Sequence, residues 1–287
     1  MIADEMRRSF SRSSSRGERL VDPGMPSEAD LELAHTKDWV RRTLKGELGL
    51  ADETRMELPC SPELVVAHAK QAAGTYLACR EALETGLGLH IGGGSHHAFA
   101  DHGEGFCIFN DLAAALIKLR KEGVLESAAV VDLDVHQGNG TASILDKEPA
   151  LFTLSLHQGG IYPFAGPSPT DCAGTADVAL PAGMGDGKYL KLLSARLEGF
   201  LDERRPGLVL YQAGVDCWEG DLLGSLSLTR EGLAARDRMV FEACLKRGIP
   251  AAVALGGGYA ERLEDTVALH VQTLNTALEL QRSPHRG

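Results

Sequence analysis

The chain has 287 residues, 44% of them hydrophobic, and a formal net charge of −11 at pH 7. This length and composition are sufficient for one α/β domain with a sizeable core. The acidic balance argues against a nucleic-acid-binding protein, which normally carries a basic patch. No apolar run approaches the ~20 residues that a membrane-spanning helix needs, so we expect no membrane partner.

The six cysteines are scattered along the chain without a CxxC pair. This spacing predicts neither a zinc knuckle nor a disulfide framework. Unpaired thiols are typical of a reducing compartment, so we expect a cytoplasmic protein.

Residues 1–24 differ in composition from the rest of the chain. They contain five arginines and a cluster of serines, with almost no apolar periodicity. This composition predicts a disordered tail in front of a catalytic domain over residues 25–287. Arg7 and Arg8 resemble part of a twin-arginine export signal, but no apolar segment follows them, so we expect no export by that route.

From Ser27 onward, helical and strand patterns alternate along the chain. Apolar spacings of three and four residues predict helices over 28–45, 62–85, 111–122, 187–204, 229–247 and 260–280. Short apolar runs between them predict buried strands at 88–91, 128–131, 151–154, 208–211 and 251–255. Such alternation is typical of parallel strands joined by crossover helices. We therefore predict an α/β fold, a single three-layer α/β/α domain with a mainly parallel central sheet.

Chemically functional side chains follow each of the five predicted strands. In chain order they are His96 and His97, then Asp132 to His136, then Ser155 to His157, then Asp216, and last Tyr259. In open parallel sheets, ligands bind in the crevice beyond the carboxyl ends of the strands. We therefore expect these side chains to converge on one crevice.

Asp134 and His136 are candidate metal ligands. Their i and i+2 positions on an extended segment would direct both side chains to one face. Asp216, after another apolar run, is a candidate third ligand. Three ligands with one open position are typical of catalytic zinc, and oxygen-rich ligation also suits Fe(II). The alternative for Asp134 and His136 is a salt pair at the end of a strand.

His96 and His97 follow three glycines, which allow the backbone to approach a ligand closely. Asp132 and Asn139 are candidate partners that would tune the two imidazoles differently, since a carboxylate raises basicity more than an amide does. The alternative is a polar turn with two solvent-facing histidines.

Tyr259 also follows three glycines and could donate a hydrogen bond to a developing oxyanion. The alternative interpretation of Tyr259 is a packed aromatic side chain at the start of a helix.

The motifs together resemble the zinc-dependent histone deacetylase family, which has the arginase/deacetylase fold. The resemblance runs from about residue 26 to residue 278 and is carried by GGGSHH, GEGFCIFND, DLDVHQGNGT, SLH, QAGVDCWEGDLLGSLSLT and GGGY. The HQGNG and WEGDLLGSLSLT segments resemble classes IV and II of that family, and class IV is the nearer in overall length and in the GIYP segment.

The resemblance implies a role for each matching position. Asp134, His136 and Asp216 would bind zinc, His97 would be the general base, His96 would tune the local field, Asp132 and Asn139 would support the two histidines, and Tyr259 would stabilise the oxyanion. Phe106 and Tyr162 would form the walls of a substrate channel, Gly105 would let the substrate pass, and Leu223 would lie at the rim. Asp132, Ser155 and Leu156 would belong to an internal potassium site.

The function implied is zinc-dependent removal of acetyl or longer acyl groups from lysine side chains of proteins. The alternatives are an acetylpolyamine deacetylase and a noncatalytic protein that binds acyl-lysine. Three departures from the family pattern affect this interpretation. The family's first strand is missing before residue 26, the segment 58–62 lacks the family's rim aspartate, and Leu223 stands where polyamine-specific relatives carry an acidic residue.

Overall fold

The computed structural model describes residues 1–12, 20–164 and 174–282. Six strands form one sheet. They are β1 (Leu87–Leu89), β2 (Ala128–Asp132), β3 (Leu151–Gln158), β4 (Thr175–Leu180), β5 (Val209–Gln212) and β6 (Ala251–Ala254). The spatial order is β1-β6-β5-β2-β3-β4, and every pair of neighbouring strands is parallel. The predicted α/β class with a parallel sheet is confirmed.

Helices precede β1, follow β6 and connect most of the successive strands. They are α1 (Ile2–Arg12), α2 (Glu28–Leu31), α3 (Lys37–Leu44), α4 (Leu50–Met56), α5 (Pro62–Thr85), α6 (Asp111–Lys121), α7 (Asn139–Leu145), α8 (Asp186–Arg204), α9 (Arg230–Arg247) and α10 (Leu263–Arg282). Within the described part of the chain, no helix has the combination of length and apolar character that crossing a membrane requires.

The sheet is buried on both faces. Ala129 and Val131 of β2 belong to a hydrophobic cluster with α8, α9 and α10, whereas Ala128 and Val130 belong to a second cluster with α5 and α6. Alternate side chains of one strand therefore enter opposite cores, which explains its continuous apolar run. This arrangement is the predicted three-layer α/β/α domain.

All five predicted strands are present, and one strand was not predicted. β4 lies at the edge of the sheet, and most of its residues are only partly buried. Its sequence therefore lacks the continuous apolar run of a central strand. β3 is also longer than predicted: it continues to Gln158, so Ser155 to His157 lie within the strand.

The single helix predicted over 28–45 is wrong, because α2 and α3 are separate. Thr36 begins α3 by accepting a hydrogen bond from Trp39 N through its side chain, at 3.3 Å. Its own N–H donates to Ala100 O at 2.7 Å, outside any helix. A capping side chain therefore determines where the new helix begins, even though the apolar period continues across this position. The short helices α4 and α7 were not predicted either.

The structure differs at residues 2–12 from the disordered tail predicted for 1–24. These residues form α1, and Met6 is buried, with 1% of its surface exposed, in the cluster that includes Leu278 of α10. Ile2 and Met6 lie four positions apart and therefore share one helix face. Two apolar residues were too weak a pattern to predict this helix. The rest of the predicted tail includes residues 13–19, which lie outside the described residues.

Candidate active site

The functional side chains lie at the carboxyl edge of the parallel sheet. Asp132 is the last residue of β2, Asp216 lies in the loop after β5, and Tyr259 lies in the loop after β6. His96 and His97 lie in the loop after β1. Because parallel strands end at the same edge, these four loops meet in one crevice.

Asp134, His136 and Asp216 form a buried cluster. Each offers one ligand atom, and these atoms lie within 4.8 Å of one another. Nδ1 of His136 lies 3.2 Å from Asp134 Oδ1 and 3.2 Å from Asp216 Oδ2. In a tetrahedral site with ligands about 2.0–2.2 Å from the metal, neighbouring ligand atoms are roughly 3.3–3.6 Å apart. The donor types and the spacing therefore fit a metal ion.

The backbone of this segment is turned rather than extended, so the predicted extended segment is wrong. Asp132 Oδ1 accepts a hydrogen bond from Asp134 N at 3.1 Å, and Asp134 Oδ1 accepts one from His136 N at 3.0 Å. Each carboxylate thus binds the backbone two residues ahead, as in an Asx-turn. The side chains of Asp134 and His136 nevertheless meet at one point.

The electrostatics of the cluster also suit a cation. Burial raises the pKa of the Asp216 carboxyl, and the charge of Asp134 raises it further. Burial alone would lower the pKa of His136, but its hydrogen bonds to Asp134 and Asp216 raise that pKa to about 10. Two buried carboxylates therefore attract positive charge, and a divalent cation satisfies both of them.

Two glycines allow the backbone to pack against the cluster carboxylates. A Cβ on Gly214 would lie 2.2 Å from Asp134 Oδ2, and one on Gly257 would lie 2.3 Å from Asp216 Oδ2. Gly257 N also donates to Asp134 Oδ2 at 2.8 Å. These positions accept no side chain without displacing a candidate ligand.

We expect Gly214→Ala to weaken metal binding about 10- to 100-fold, the range seen when groups that orient metal ligands are changed. The added methyl group would displace the Asp134 carboxylate. Zn²⁺ titration of the metal-depleted protein measures the affinity. Gly187→Ala in α8 is the matched control, because a Cβ there meets no atom within 4 Å. Equal affinities in the two variants would contradict this prediction.

Each of the two adjacent histidines has its own partner. His96 Nδ1 lies 2.7 Å from Asp132 Oδ2, and His97 Nδ1 lies 2.7 Å from Asn139 Oδ1. The two rings are 4.1 Å apart between centroids. The structure thus has the two pairings that the sequence predicted, and neither histidine is exposed to solvent.

The two partners tune the histidines in opposite directions. Burial lowers the pKa of both imidazoles. For His96 the charges of Asp132 and Asp134 outweigh burial and raise its pKa to about 9. For His97, burial and the neighbouring His96 hold the pKa well below its usual range, and the neutral Asn139 compensates only in part. Of the two imidazoles, His97 is therefore the one that is neutral at neutral pH.

Tyr259 lies beside the cluster, next to His136. Its ring is 6.3 Å from that of His136 and 5.9 Å from that of Phe106. Burial raises the pKa of its phenol, as do Asp134 and Asp216, so the hydroxyl remains a donor. Asp221 Oδ2 accepts a hydrogen bond from Tyr259 N at 2.6 Å and holds the loop in place.

Aromatic side chains surround the entrance to the cluster. Tyr162 packs edge-on against His97, with centroids 4.9 Å apart, and Phe106 packs beside Tyr259. Gly105 has a φ of +49°, and a Cβ there would lie 2.6 Å from the Tyr162 hydroxyl. Leu223 is 44% exposed. Gly105 thus lies beside Tyr162, and Phe106 beside Tyr259; a substrate channel lined by these residues and Leu223 stays a prediction.

The residues predicted for a potassium site are neighbours in the sheet. Asp132 of β2 and Ser155 of β3 are register partners, and Leu156 follows Ser155. Ser155 Oγ lies 2.9 Å from His157 Nδ1. Binding of potassium here stays a prediction.

Three further residues support the site and were not singled out from the sequence. Gln212 donates from Nε2 to Gly94 O at 2.9 Å and so joins β5 to the histidine loop. Arg236 is fully buried beneath the loops that carry the cluster, and Glu104 contacts Asn139. Glu104 lies within the GEGFCIFND segment and Gln212 begins the QAGVDCWEGDLLGSLSLT segment, which were the only available signals; the arginine in α9 lies in neither motif.

The fold and the site together define an α/β protein with a candidate metal centre at the carboxyl edge of its sheet. The family model described as the histone deacetylase domain matches residues 2–274. The chain therefore belongs to the histone deacetylase family, and its fold is consistent with the arginase/deacetylase fold. Membership of that family makes it a hydrolase of acetylated substrates.

Relatives carry several names. An uncharacterised protein of Picosynechococcus sp. is 41% identical over 253 residues, with 88% of this chain and 83% of that protein covered. Histone deacetylase 2 of Arabidopsis thaliana is 31% identical over 276 residues, with 92% and 70% covered. A polyamine deacetylase of Homo sapiens is 30% identical over 269 residues, with 86% of this chain but 40% of that protein covered.

Proposed function

We propose that this protein is a zinc-dependent hydrolase that removes acetyl or longer acyl groups from lysine side chains of proteins. The observation that carries the proposal is the placement of a buried His97 and of Tyr259 beside the Asp134, His136 and Asp216 cluster, with both rings about 6 Å from that of His136. A base, a candidate metal site and an oxyanion donor are the three components that metal-assisted amide hydrolysis requires.

Asp134, His136 and Asp216 are the residues that would hold the metal. Zinc suits the one-nitrogen, two-oxygen donor set, and Fe(II) is the alternative with similar preferences. When bound, zinc supplies a Lewis acid for the amide carbonyl and lowers the pKa of water toward ~7. The family resemblance also assigns a potassium ion to Asp132, Ser155 and Leu156.

His97 would act first as general base and then as general acid. Its Nδ1 faces Asn139 Oδ1, so Nε2 is the nitrogen free to take a proton from the attacking water. The water oxygen bonds to the acyl carbon, and the C–N bond then breaks. The proton held by His97 passes to the leaving lysine nitrogen, which gives a carboxylic acid and an amine; at neutral pH the acid then loses its proton and the lysine amine takes one up. Charge on His96, with Asp132, tunes the field around this step.

Tyr259 would donate a hydrogen bond to the tetrahedral oxyanion, an interaction typically worth roughly 3–4 kcal/mol for one donor. The acyl-lysine stem would pass between Phe106 and Tyr162, and Gly105 leaves room for it. These narrow aromatic walls suit an unbranched aliphatic chain.

The substrate is the point on which two candidates differ. An acyl-lysine protein is favoured because Leu223 at the rim is apolar and exposed, and it gives a polyamine cation no partner. An acetylpolyamine is the second candidate, because the chain is similar to a human polyamine deacetylase and carries a net charge of −11.

The five described cysteines are unpaired, which supports a cytoplasmic location.

The proposal is tested by measuring bound metal and turnover in one preparation. The substrates are an acetyl-lysine peptide, a long-chain acyl-lysine peptide and an acetylpolyamine. We expect one metal per chain, turnover of an acyl-lysine peptide, its loss after chelation, and its return with Zn²⁺. Faster turnover of the acetylpolyamine would favour the second candidate. Bound metal without turnover of any substrate would contradict both and indicate a noncatalytic binding protein.

A further inference from the structure

Glu104 lies beside the site and has no part in the mechanism described above. It begins a tight turn in which its N–H donates to Cys107 O at 3.0 Å and its carbonyl accepts from Cys107 N at 2.9 Å. Gly105 and Phe106, at the tip of this turn, have φ values of +49° and +62°. The turn therefore fixes the Glu104 side chain next to the channel wall at Phe106.

One carboxylate oxygen of Glu104 makes two hydrogen bonds. Oε1 accepts from Asn139 Nδ2 at 3.0 Å and from the Tyr162 hydroxyl at 2.9 Å. The other oxygen lies 3.5 Å from His102 Nε2. Oε1 of Glu104 thus links Asn139, the partner of His97, to Tyr162, which would form one wall of the channel.

The first of these bonds determines how the Asn139 amide is oriented. A carboxylate only accepts hydrogen bonds, so Asn139 must turn its NH₂ group toward Glu104. Its Oδ1 then faces the other way, where it accepts from Gly140 N at 3.0 Å and lies 2.7 Å from His97 Nδ1. His97 consequently carries its proton on Nδ1 and leaves Nε2 unprotonated.

The second bond fixes the wall of the channel. Tyr162 packs edge-on against His97, with an interplanar angle of 88°. With its hydroxyl bound to Glu104, the ring cannot rotate away from the histidine. The base and the wall that would hold the substrate stem are therefore positioned relative to each other.

We propose that Glu104 is a positioning residue that fixes, through one carboxylate oxygen, both the tautomer of His97 and the Tyr162 wall. This inference rests on the proposed function, in which His97 is the general base and Tyr162 contacts the substrate. Glu104 acts only through Asn139 and Tyr162.

Glu104→Ala and Glu104→Gln test the proposal. Glu104→Ala removes both hydrogen bonds, and we expect kcat/KM to fall by ~10- to 100-fold, as for other groups that orient a catalytic histidine. Glu104→Gln retains an oxygen that can accept both bonds, so we expect kcat/KM within about 5-fold of wild type. Asp101→Ala is the matched control, since this exposed carboxylate on the same segment contacts neither Asn139 nor Tyr162; its link to Glu104 runs only through His102 and the oxygen that makes neither of the two hydrogen bonds.

A second measurement does not depend on turnover. ¹⁵N NMR of the imidazole nitrogens in the zinc-loaded protein, with His97 assigned through His97→Ala, reports its tautomer. We expect protonation at Nδ1 in wild type, Glu104→Gln and Asp101→Ala, and a mixture of tautomers in Glu104→Ala. If the wild-type protein turned over no acyl-lysine substrate, the proposed function would fail while this measurement still decided the role of Glu104.

The proposal is overturned if Glu104→Ala keeps the wild-type tautomer and kcat/KM, or if Asp101→Ala matches its loss. It is also overturned if Glu104→Gln, shown by circular dichroism to be folded, is as impaired as Glu104→Ala. Tyr162→Phe separates the two hydrogen bonds: we expect a higher KM with an unchanged His97 tautomer. A changed His97 tautomer in Tyr162→Phe would contradict the proposal that the two hydrogen bonds of Glu104 act separately, one on His97 through Asn139 and the other on Tyr162.

Discussion

Replacing His97 with alanine is expected to lower kcat on an acyl-lysine peptide by roughly 10²- to 10⁴-fold, the usual contribution of a positioned general base. His97 is the buried imidazole that is neutral at neutral pH, because burial and His96 lower its pKa, and its Nε2 is unprotonated because Nδ1 faces Asn139 Oδ1. His96 cannot replace it, because Asp132 and Asp134 raise its pKa to about 9. Steady-state kinetics at neutral pH measure the loss.

Two controls identify the cause of that loss. His97 is not part of the Asp134, His136 and Asp216 cluster, so the metal content of His97→Ala should equal that of wild type. Added imidazole should enter the vacated space and restore part of kcat. Loss of metal in the variant, or a kcat within tenfold of wild type, would contradict the assignment of His97 as the base.

The positions of the candidate site residues followed from local sequence because strand ends are easily recognised. The run Ala128 to Val131 is apolar since it is buried on both faces of the sheet, and the polar residues after it mark its carboxyl end. All parallel strands end at one edge, so residues far apart in sequence meet there. The convergence of Asp134 and Asp216 needed no knowledge of helix packing.

Features that depend on long-range packing could not be predicted in this way. Glu104 contacts Asn139 and Tyr162, which are 35 and 58 residues away in sequence. Apart from its place in the GEGFCIFND segment, nothing in the sequence around Glu104 distinguishes it from an exposed carboxylate such as Asp101. The edge strand β4 was missed for a related reason, because a strand that is only partly buried has no continuous apolar run.

Arg236 is the clearest example of this limit. An arginine in the apolar period of α9 indicates an exposed position, yet this side chain is fully buried. Its Nη1 donates to Gly214 O at 2.6 Å and to Leu133 O at 3.1 Å. Gly214 and Leu133 precede the candidate ligands Asp216 and Asp134. The guanidinium therefore joins the two loops that carry the metal cluster from beneath.

We expect Arg236→Met to reduce the free energy of unfolding by about 3–5 kcal/mol, the cost of breaking a buried ion pair. Arg236 Nε donates to Asp237 Oδ1 at 2.9 Å, so the substitution leaves that carboxylate buried without a counter-charge. Tyr211 and Thr273 still donate to Asp237, but neither is charged. Urea unfolding of the metal-depleted protein measures the change without a contribution from metal binding.

Two further variants separate the ion pair from general damage to α9. Arg238→Met removes an exposed arginine of the same helix, which lies 3.7 Å from Glu279, and should change the free energy of unfolding by no more than about 0.5 kcal/mol. Arg236→Met combined with Asp237→Asn removes the unpaired charge. Tyr211 and Thr273 donate to different oxygens of Asp237, so the amide oxygen keeps one of these bonds and the amide NH₂ can donate to the other hydroxyl oxygen. This double variant should therefore be more stable than Arg236→Met, although the carbonyls of Leu133 and Gly214 remain without their donor. If the double variant were less stable than the single one, the loss would come from packing, and the buried charge would not be its cause.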